Sequence, residues 1–161
     1  MKVGLQISAQ LENIEYLKAV GDDFRWYMKL SCTSCGEETP EFVYCSKEEK
    51  SPLTGGRGEA SLVLKCKLCK RENSLDIIQG SEAPYTSEQS GQFGTIVAFD
   101  VRGVSPTDFS PRVGWEVKSQ ESSTVFPDVD LKDLEWFDYD EKAAQSVSIT
   151  EFKYRFATVK I

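Results

Sequence analysis

Phe24-Arg25-Trp26-Tyr27-Met28-Lys29-Leu30-Ser31-Cys32-Thr33-Ser34-Cys35-Gly36 carries two readings in succession. Phe24, Trp26, Met28 and Leu30 alternate with more polar side chains, which is the period of a half-buried β-strand. The strand pattern then runs into Cys-x2-Cys. Two residues between thiols let both sulfurs turn inward on one tight knuckle. Gly36 suits the turn that follows. A strand ending in a pair of metal-ligating thiols is therefore the unit from which the rest of the chain is read.

The period of two recurs on both sides of this unit. Val3, Leu5, Ile7, Ala9 and Leu11 alternate with polar residues, and Leu62 and Leu64 do so further on. Phe93 to Val101 is rich in β-branched and aromatic residues. Val147 and Ile149 lie in one phase while Phe152, Tyr154 and Phe156 lie in the other, which places a bulge near Thr150 or Glu151. Helical signals are weak. Glu12 to Val20 admits a short amphipathic helix or a strand, and Asp138 to Gln145 a helical turn or two. The expected fold is all-β, an antiparallel sandwich or barrel-like arrangement, over 1–161 as a single compact domain. Sliding the chain by 69 residues lays Phe24 on Phe93, Cys32 on Val101 and Cys35 on Val104. That suggests an internal duplication of two similar β units, with zinc-bearing residues 1–79 and a second copy, 80–161, whose ligands are lost. Chance likeness between β sequences is the alternative.

The second cysteine pair, Cys66-Lys67-Leu68-Cys69, follows Cys35 after thirty intervening residues. Two knuckles of this spacing supply four thiolates in a tetrahedron, as a structural zinc prefers. Cys32, Cys35, Cys66 and Cys69 are thus the expected ligands of one structural Zn²⁺ per chain. Such a site carries a formal charge of about −2, which Lys29, Lys65, Lys67, Lys70 and Arg71 stand near enough to offset. A redox role would need a helix after each pair, and neither pair has one. Cys45, the odd thiol, reads as a small buried hydrophobe, with a spare thiol for a soft metal as the alternative. Histidine is absent, which excludes His-based triads, proton shuttles and His ligands. Gly55-Gly56-Arg57-Gly58 reads as a flexible turn, or as a loop offering Arg57 to a carboxylate. Asp128, Asp130, Asp133, Asp138, Asp140 and Glu141 read as a solvated acidic face, with Trp136, Phe137 and Tyr139 as anchors to core or partner.

Charge narrows the partners. The net charge is −7, a poor match for nucleic acid, and no binding of nucleic acid is expected. Seven basic residues lie between Lys47 and Arg71, and eight acidic ones between Glu121 and Glu141. These segments either complement each other in the fold or form two partner surfaces. No apolar run approaches the roughly 20 residues of a membrane helix, and no targeting signal is read at the start. Paired cysteines without a secretory signal point to the reducing cytosol or nucleus. An unidentified protein partner, no membrane and a monomeric state are expected.

Beyond these motifs, Asp23-Phe24-Arg25-Trp26-Tyr27, Cys32-Thr33-Ser34-Cys35-Gly36-Glu37, Gly55-Gly56-Arg57-Gly58, Lys65-Cys66-Lys67-Leu68-Cys69 and Arg71-Glu72-Asn73-Ser74 occur in one order and at one overall length. So do Pro84-Tyr85, Thr95-Ile96-Val97, Arg102-Gly103, Asp108-Phe109 and Asp138-Tyr139-Asp140-Glu141-Lys142-Ala143. Together they resemble the CXXC motif-containing zinc-binding proteins over nearly the whole chain. The resemblance implies a eukaryotic, all-β protein with one zinc on Cys32, Cys35, Cys66 and Cys69. It implies no established reaction. The expected function is a non-enzymatic zinc-stabilised β protein acting through protein contacts. The alternative is metal handling, with zinc or copper exchanged through the cysteine thiolates.

Overall fold

A computed structural model describes residues 1–56 and 58–160. The regular structure of the described chain is almost all strand, in this order: β1 (Lys2–Glu12), β2 (Ile14–Ala19), β3 (Trp26–Cys32), β4 (Val43–Cys45), β5 (Ser51–Pro52), β6 (Glu59–Ala60), β7 (Leu62–Lys65), β8 (Glu72–Ile77), β9 (Tyr85–Thr86), β10 (Gly94–Arg102), β11 (Val104–Ser110), β12 (Trp115–Ser119), β13 (Val125–Val129), β14 (Trp136–Asp140) and β15 (Gln145–Thr158). Two short 3-10 turns, Thr54–Gly56 and Ser87–Gln89, are the helical elements among the described residues. Every strand pairing is antiparallel.

Six strands pair in the order β14-β15-β1-β10-β8-β7, three as β11-β3-β4, four as β13-β12-β2-β9, and β5 with β6. Strands from the two sequence halves interleave. β1 lies between β10 and β15, and β3 between β11 and β4. Val104 pairs with Cys32 across the β3–β11 ladder.

The alternation around Trp26 is what joins the sheets. Trp26, Met28, Leu30 and Cys32 are buried, while Tyr27, Lys29 and Ser31 between them are only half-buried. The Trp26 ring lies 6.3 Å from Phe99 of β10, 6.0 Å from Trp115 of β12 and 6.4 Å from Phe109 of β11, measured between centroids. Phe24 fills the remaining side at 4.6 Å. Three sheets therefore meet at one indole, in edge-to-face and tilted contacts of the kind aromatic quadrupoles favour.

The phase change late in the chain is a bulge. Ser8 pairs with Lys153 but Gln10 pairs with Thr150, so three steps on β15 match two on β1. Glu151 takes the left-handed conformation there, with φ 51°. Within Glu12 to Val20 there is strand and no helix: Glu12 closes β1 and Ile14–Ala19 form β2. Asp138 to Gln145 departs from the expected helical turns. It is the β14–β15 hairpin, with Asp140 opposite Gln145. Glu141, Lys142, Ala143 and Ala144 make the turn.

Asp140 also departs from the solvated face expected for the acidic segment. It is fully buried. Its carboxylate accepts from the hydroxyls of Ser119, of Ser122 at 2.7 Å and of Thr124 at 3.0 Å. The Lys142 and Ala143 N–H groups donate to it at 3.1 and 3.2 Å. These hydroxyls, that of Ser119 first, hold its pKa well below the ordinary carboxylate value. A lowered folded pKa contributes stability that is fully present above the unfolded value of about 3.9, begins to be lost as pH approaches that value and is gone once pH falls through the lower folded pKa. Asp140→Asn is expected to lower Tm by on the order of 5 °C or more at pH 7. The gap to the wild type should narrow between about pH 5 and 3. A gap constant over that range, followed by thermal melts, contradicts the assignment.

Candidate metal centre

Strand β3 ends at Cys32, and β7 ends one residue before Cys66. Each cysteine pair turns back by the same two bonds. In the first, Gly36 N donates to Cys32 O at 2.7 Å and Cys32 N to Glu37 O at 2.8 Å. In the second, Lys70 N donates to Cys66 O and Cys66 N to Arg71 O, both at 2.9 Å. Gly36 and Lys70 occupy equivalent left-handed positions, φ 83° and 65°. Glycine adopts this freely, whereas Lys70 does so without that freedom.

The two knuckles face each other, and all four sulfurs lie within 4.8 Å of one another. Cys32 Sγ is 3.7 Å from Cys69 Sγ, and Cys35 Sγ is 3.4 Å from Cys66 Sγ. A disulfide needs about 2.05 Å, and all five cysteines are free. A zinc with Zn–S of about 2.3 Å has tetrahedral edges of roughly 3.8 Å. The thiol spacing therefore fits one tetrahedral ion of that size.

Electrostatics favours a cation at the same point. Asn73 first, then the N–H groups of Cys35 and Ser34, lower the Cys32 thiol to about 6. The Cys69 and Leu68 N–H groups lower Cys66. At Cys35 the Glu37 N–H also lowers the pKa. Desolvation and the crowding of Cys66, Cys69 and Cys32 outweigh it and push Cys35 up to about 12. Four sulfurs this close can all be thiolates only with a positive ion among them.

Asn73 is a further residue at the centre, assigned no role from the sequence. It is buried on β8, and its carboxamide is wedged among Cys32, Glu72 and Gly103. In one orientation its NH₂ faces Cys32 Sγ. Flipped, it donates to the carbonyls of Gly103 and Glu72, each at 3.2 Å. Gly103 has φ 78°, and a Cβ there would fall 2.1 Å from Asn73 Oδ1. The Gly103 carbonyl in turn accepts from Thr33 N at 2.9 Å. The turn between β10 and β11 thus clamps the first knuckle. Residue type and spacing near the cysteines gave no signal for this contact, which spans the chain.

Cys45 stands apart from this group. It is 1% exposed, pairs opposite Trp26, and burial drives its pKa up. Cys45→Ser is expected to leave metal content unchanged and to cost about 1–3 kcal/mol, since a hydroxyl there loses its solvent partners. Elemental analysis and denaturant melts check both halves. Lys65, Lys67, Lys70 and Arg71 are exposed around the second knuckle, while Lys29 lies over the Phe42 ring at 5.2 Å. Arg57 lies outside the described residues. Among the described residues, no ion pair joins the basic stretch 47–71 to the acidic stretch 121–141.

Fold and thiol geometry together define an all-β protein with a four-cysteine centre between two knuckles. Residues 4–157 match the family model described as CXXC motif containing zinc binding protein, eukaryotic. The chain belongs to that family. It is 47% identical over 155 residues to the CXXC motif containing zinc binding protein of Homo sapiens, covering 96% of this chain and 97% of the human one. A UPF0587 protein of Nematostella vectensis is 53% identical over 149 residues, 92% of this chain and 93% of its own. The crystal structure of C1orf123 superposes with a TM-score of 0.94 at 46% identity, covering 99% of this chain and 100% of that one. A hypothetical protein from Plasmodium falciparum shares the fold, with a TM-score of 0.88 at 20% identity over 98% of this chain and 99% of that one. No helix among the described residues is long and apolar enough to cross a membrane.

Proposed function

We propose that Cys32, Cys35, Cys66 and Cys69 hold one zinc whose role is structural, and that the protein is not an enzyme but acts through protein contacts in the cytosol or nucleus. The sulfur spacing carries this reading, because two knuckles with edges of 3.4 and 3.7 Å suit one tetrahedral ion. Four protein thiolates close the coordination sphere and leave no corner for substrate or water. The expected result of elemental analysis on the isolated protein is one zinc per chain. Zero zinc, or a second equivalent, contradicts it.

One observation favours metal exchange as a second reading. Cys35 and Cys69 are exposed, whereas Cys32 and Cys66 are buried, so an acceptor can approach the ion from one side. Zinc transfer to a competing chromogenic chelator separates the two readings. A structural site should release zinc over hours, at a rate limited by local unfolding. An exchange site should hand it over within seconds to minutes, at a rate rising with acceptor concentration.

A further inference from the structure

The outer face of β3 and β4 carries an arrangement that zinc binding does not use. Tyr27 and Tyr44 are directly cross-strand, with ring centroids 5.4 Å apart. The Arg112 guanidinium lies 3.8 Å over Tyr27, and Arg25 lies 4.4 Å over Tyr44. Lys29 lies 5.2 Å over Phe42, which Arg112 also approaches at 5.8 Å. Arg25 further donates to Tyr27 Oη at 3.4 Å, and Arg112 Nε to Ser110 Oγ at 3.3 Å. Among the described residues none of these three cations has an ion-pair partner within 4 Å. Two of the nearby carboxylates are engaged elsewhere, while Glu41 beside Phe42 is exposed. Glu49 accepts from Tyr44 at 3.0 Å and from Ser46 at 3.2 Å, and Glu38 from Thr107 at 2.6 Å.

A guanidinium stacked on a ring keeps its in-plane N–H donors available, and beyond the bonds to Tyr27 and Ser110 each here has donors left over. Those donors match carboxylates in bidentate geometry, and the entropy of ordering the side chain is already spent. The rings themselves are not open platforms, because cations occupy their faces. A nucleic-acid base would have to displace a guanidinium to stack there. On a chain of net charge −7, three clustered cations without a direct ion pair form a local exception, although Glu49 lies close enough to Arg25 to act on it through space.

We infer that this face docks an acidic segment of a protein partner, with carboxylates seated on Arg25, Lys29 and Arg112. The inference rests on the reading that the protein works through protein contacts, and it names the chemistry of the contact. It is separate from the exposed lysines of the second knuckle.

A fluorescein-labelled decapeptide of alternating Glu and Ser serves as the probe, read by anisotropy on the zinc-loaded protein at 50 mM salt. An all-Ser decapeptide and a uridine decamer are the comparators. The Glu-Ser peptide is expected to bind, with affinity falling as salt rises. The Arg25→Gln/Arg112→Gln double variant should weaken it tenfold or more. Arg112→Lys, which keeps the charge but loses the fork, should weaken it about threefold. Lys67→Glu/Lys70→Glu should change it less than threefold. Circular dichroism and zinc content should match wild type in all variants. Absence of peptide binding by the wild type overturns the inference, as does an unchanged affinity in the double variant. Larger losses from the Lys67/Lys70 reversal, equal binding of the all-Ser peptide, or tighter binding of the uridine decamer also overturn it. Zinc stoichiometry and release are measured without peptide, so failure of the zinc reading is seen independently of this result.

Discussion

Cys66→Ser is expected to abolish stoichiometric zinc and to lower Tm by at least about 10 °C. Apparent zinc-binding energies of structural sites are about 10–16 kcal/mol in small peptides. Whole domains are stable by about 5–15 kcal/mol. Even a fraction of the first figure is large against the second. The loss should start locally. Most side chains between Thr33 and Glu41 are exposed, and this stretch is tied to the β body by the knuckle, the Gly103–Thr33 bond, the bonds around Leu30 and Thr39, and the contacts of Glu38 with Thr107 and Ser31. Hydrogen exchange should therefore rise first over residues 30–39 and 64–73, with the strands around Leu5 and Val97 still protected. Because the four thiols act on one ion, their effects should not add. Cys35→Ser/Cys66→Ser should cost little more than either single change, although Cys35 is exposed and Cys66 is 7% exposed. A double variant costing the sum of the singles, or a Cys66→Ser protein melting with the wild type, would remove the shared ion from the account.

The second large effect lies away from the thiols. Trp26→Ala is expected to destabilise by about 3–5 kcal/mol, the range for deleting a large buried aromatic. In Tm this is on the order of 10 °C. Trp26 is 1% exposed and touches Phe24, Phe99, Phe109 and Trp115, so no single sheet can collapse into the hole without breaking register with the others. Trp26→Phe should recover more than half of the loss. Chemical denaturation of zinc-loaded proteins gives the comparison. A loss under about 1 kcal/mol for the alanine variant would show that the sheets repack around the site.

What the sequence made legible was local. Phe24 to Gly36 could be read as strand and knuckle because the alternation, the thiol spacing and the glycine all fall within thirteen residues. The bulge at Glu151 was legible for the same reason, since a single strand changes phase at that point. Asp140 was not. Its partners Ser119, Ser122 and Thr124 come from a different hairpin, and in sequence Asp140 is one more acid in an acidic run. Reading 138–145 as helical failed because the turn at 141–144 is helix-compatible in composition, and only the pairing of Trp136 with Ile149 decides it. Asn73 and Gly103 escaped assignment because their chemistry consists of a shape fit between β8 and the β10–β11 turn. Sheet order was likewise closed to inspection, since β1 chooses partners beginning at residues 94 and 145.

That long first strand imposes a timetable on synthesis. Val3 must wait for Thr158 and Lys2 for Asp100 before either edge of β1 is paired. All four thiols have been translated by residue 69, whereas β15 ends nearly 90 residues later. At about 5–20 residues per second, that interval is on the order of 10 s on the ribosome. During it β1 presents unpaired backbone and the side chains of Leu5 and Ile7, which are destined for the core. The knuckles, closed by contacts within a few residues, are the first part able to assume final geometry. The nascent chain should therefore depend on holding chaperones, and truncations lacking β15 should aggregate even when zinc is abundant.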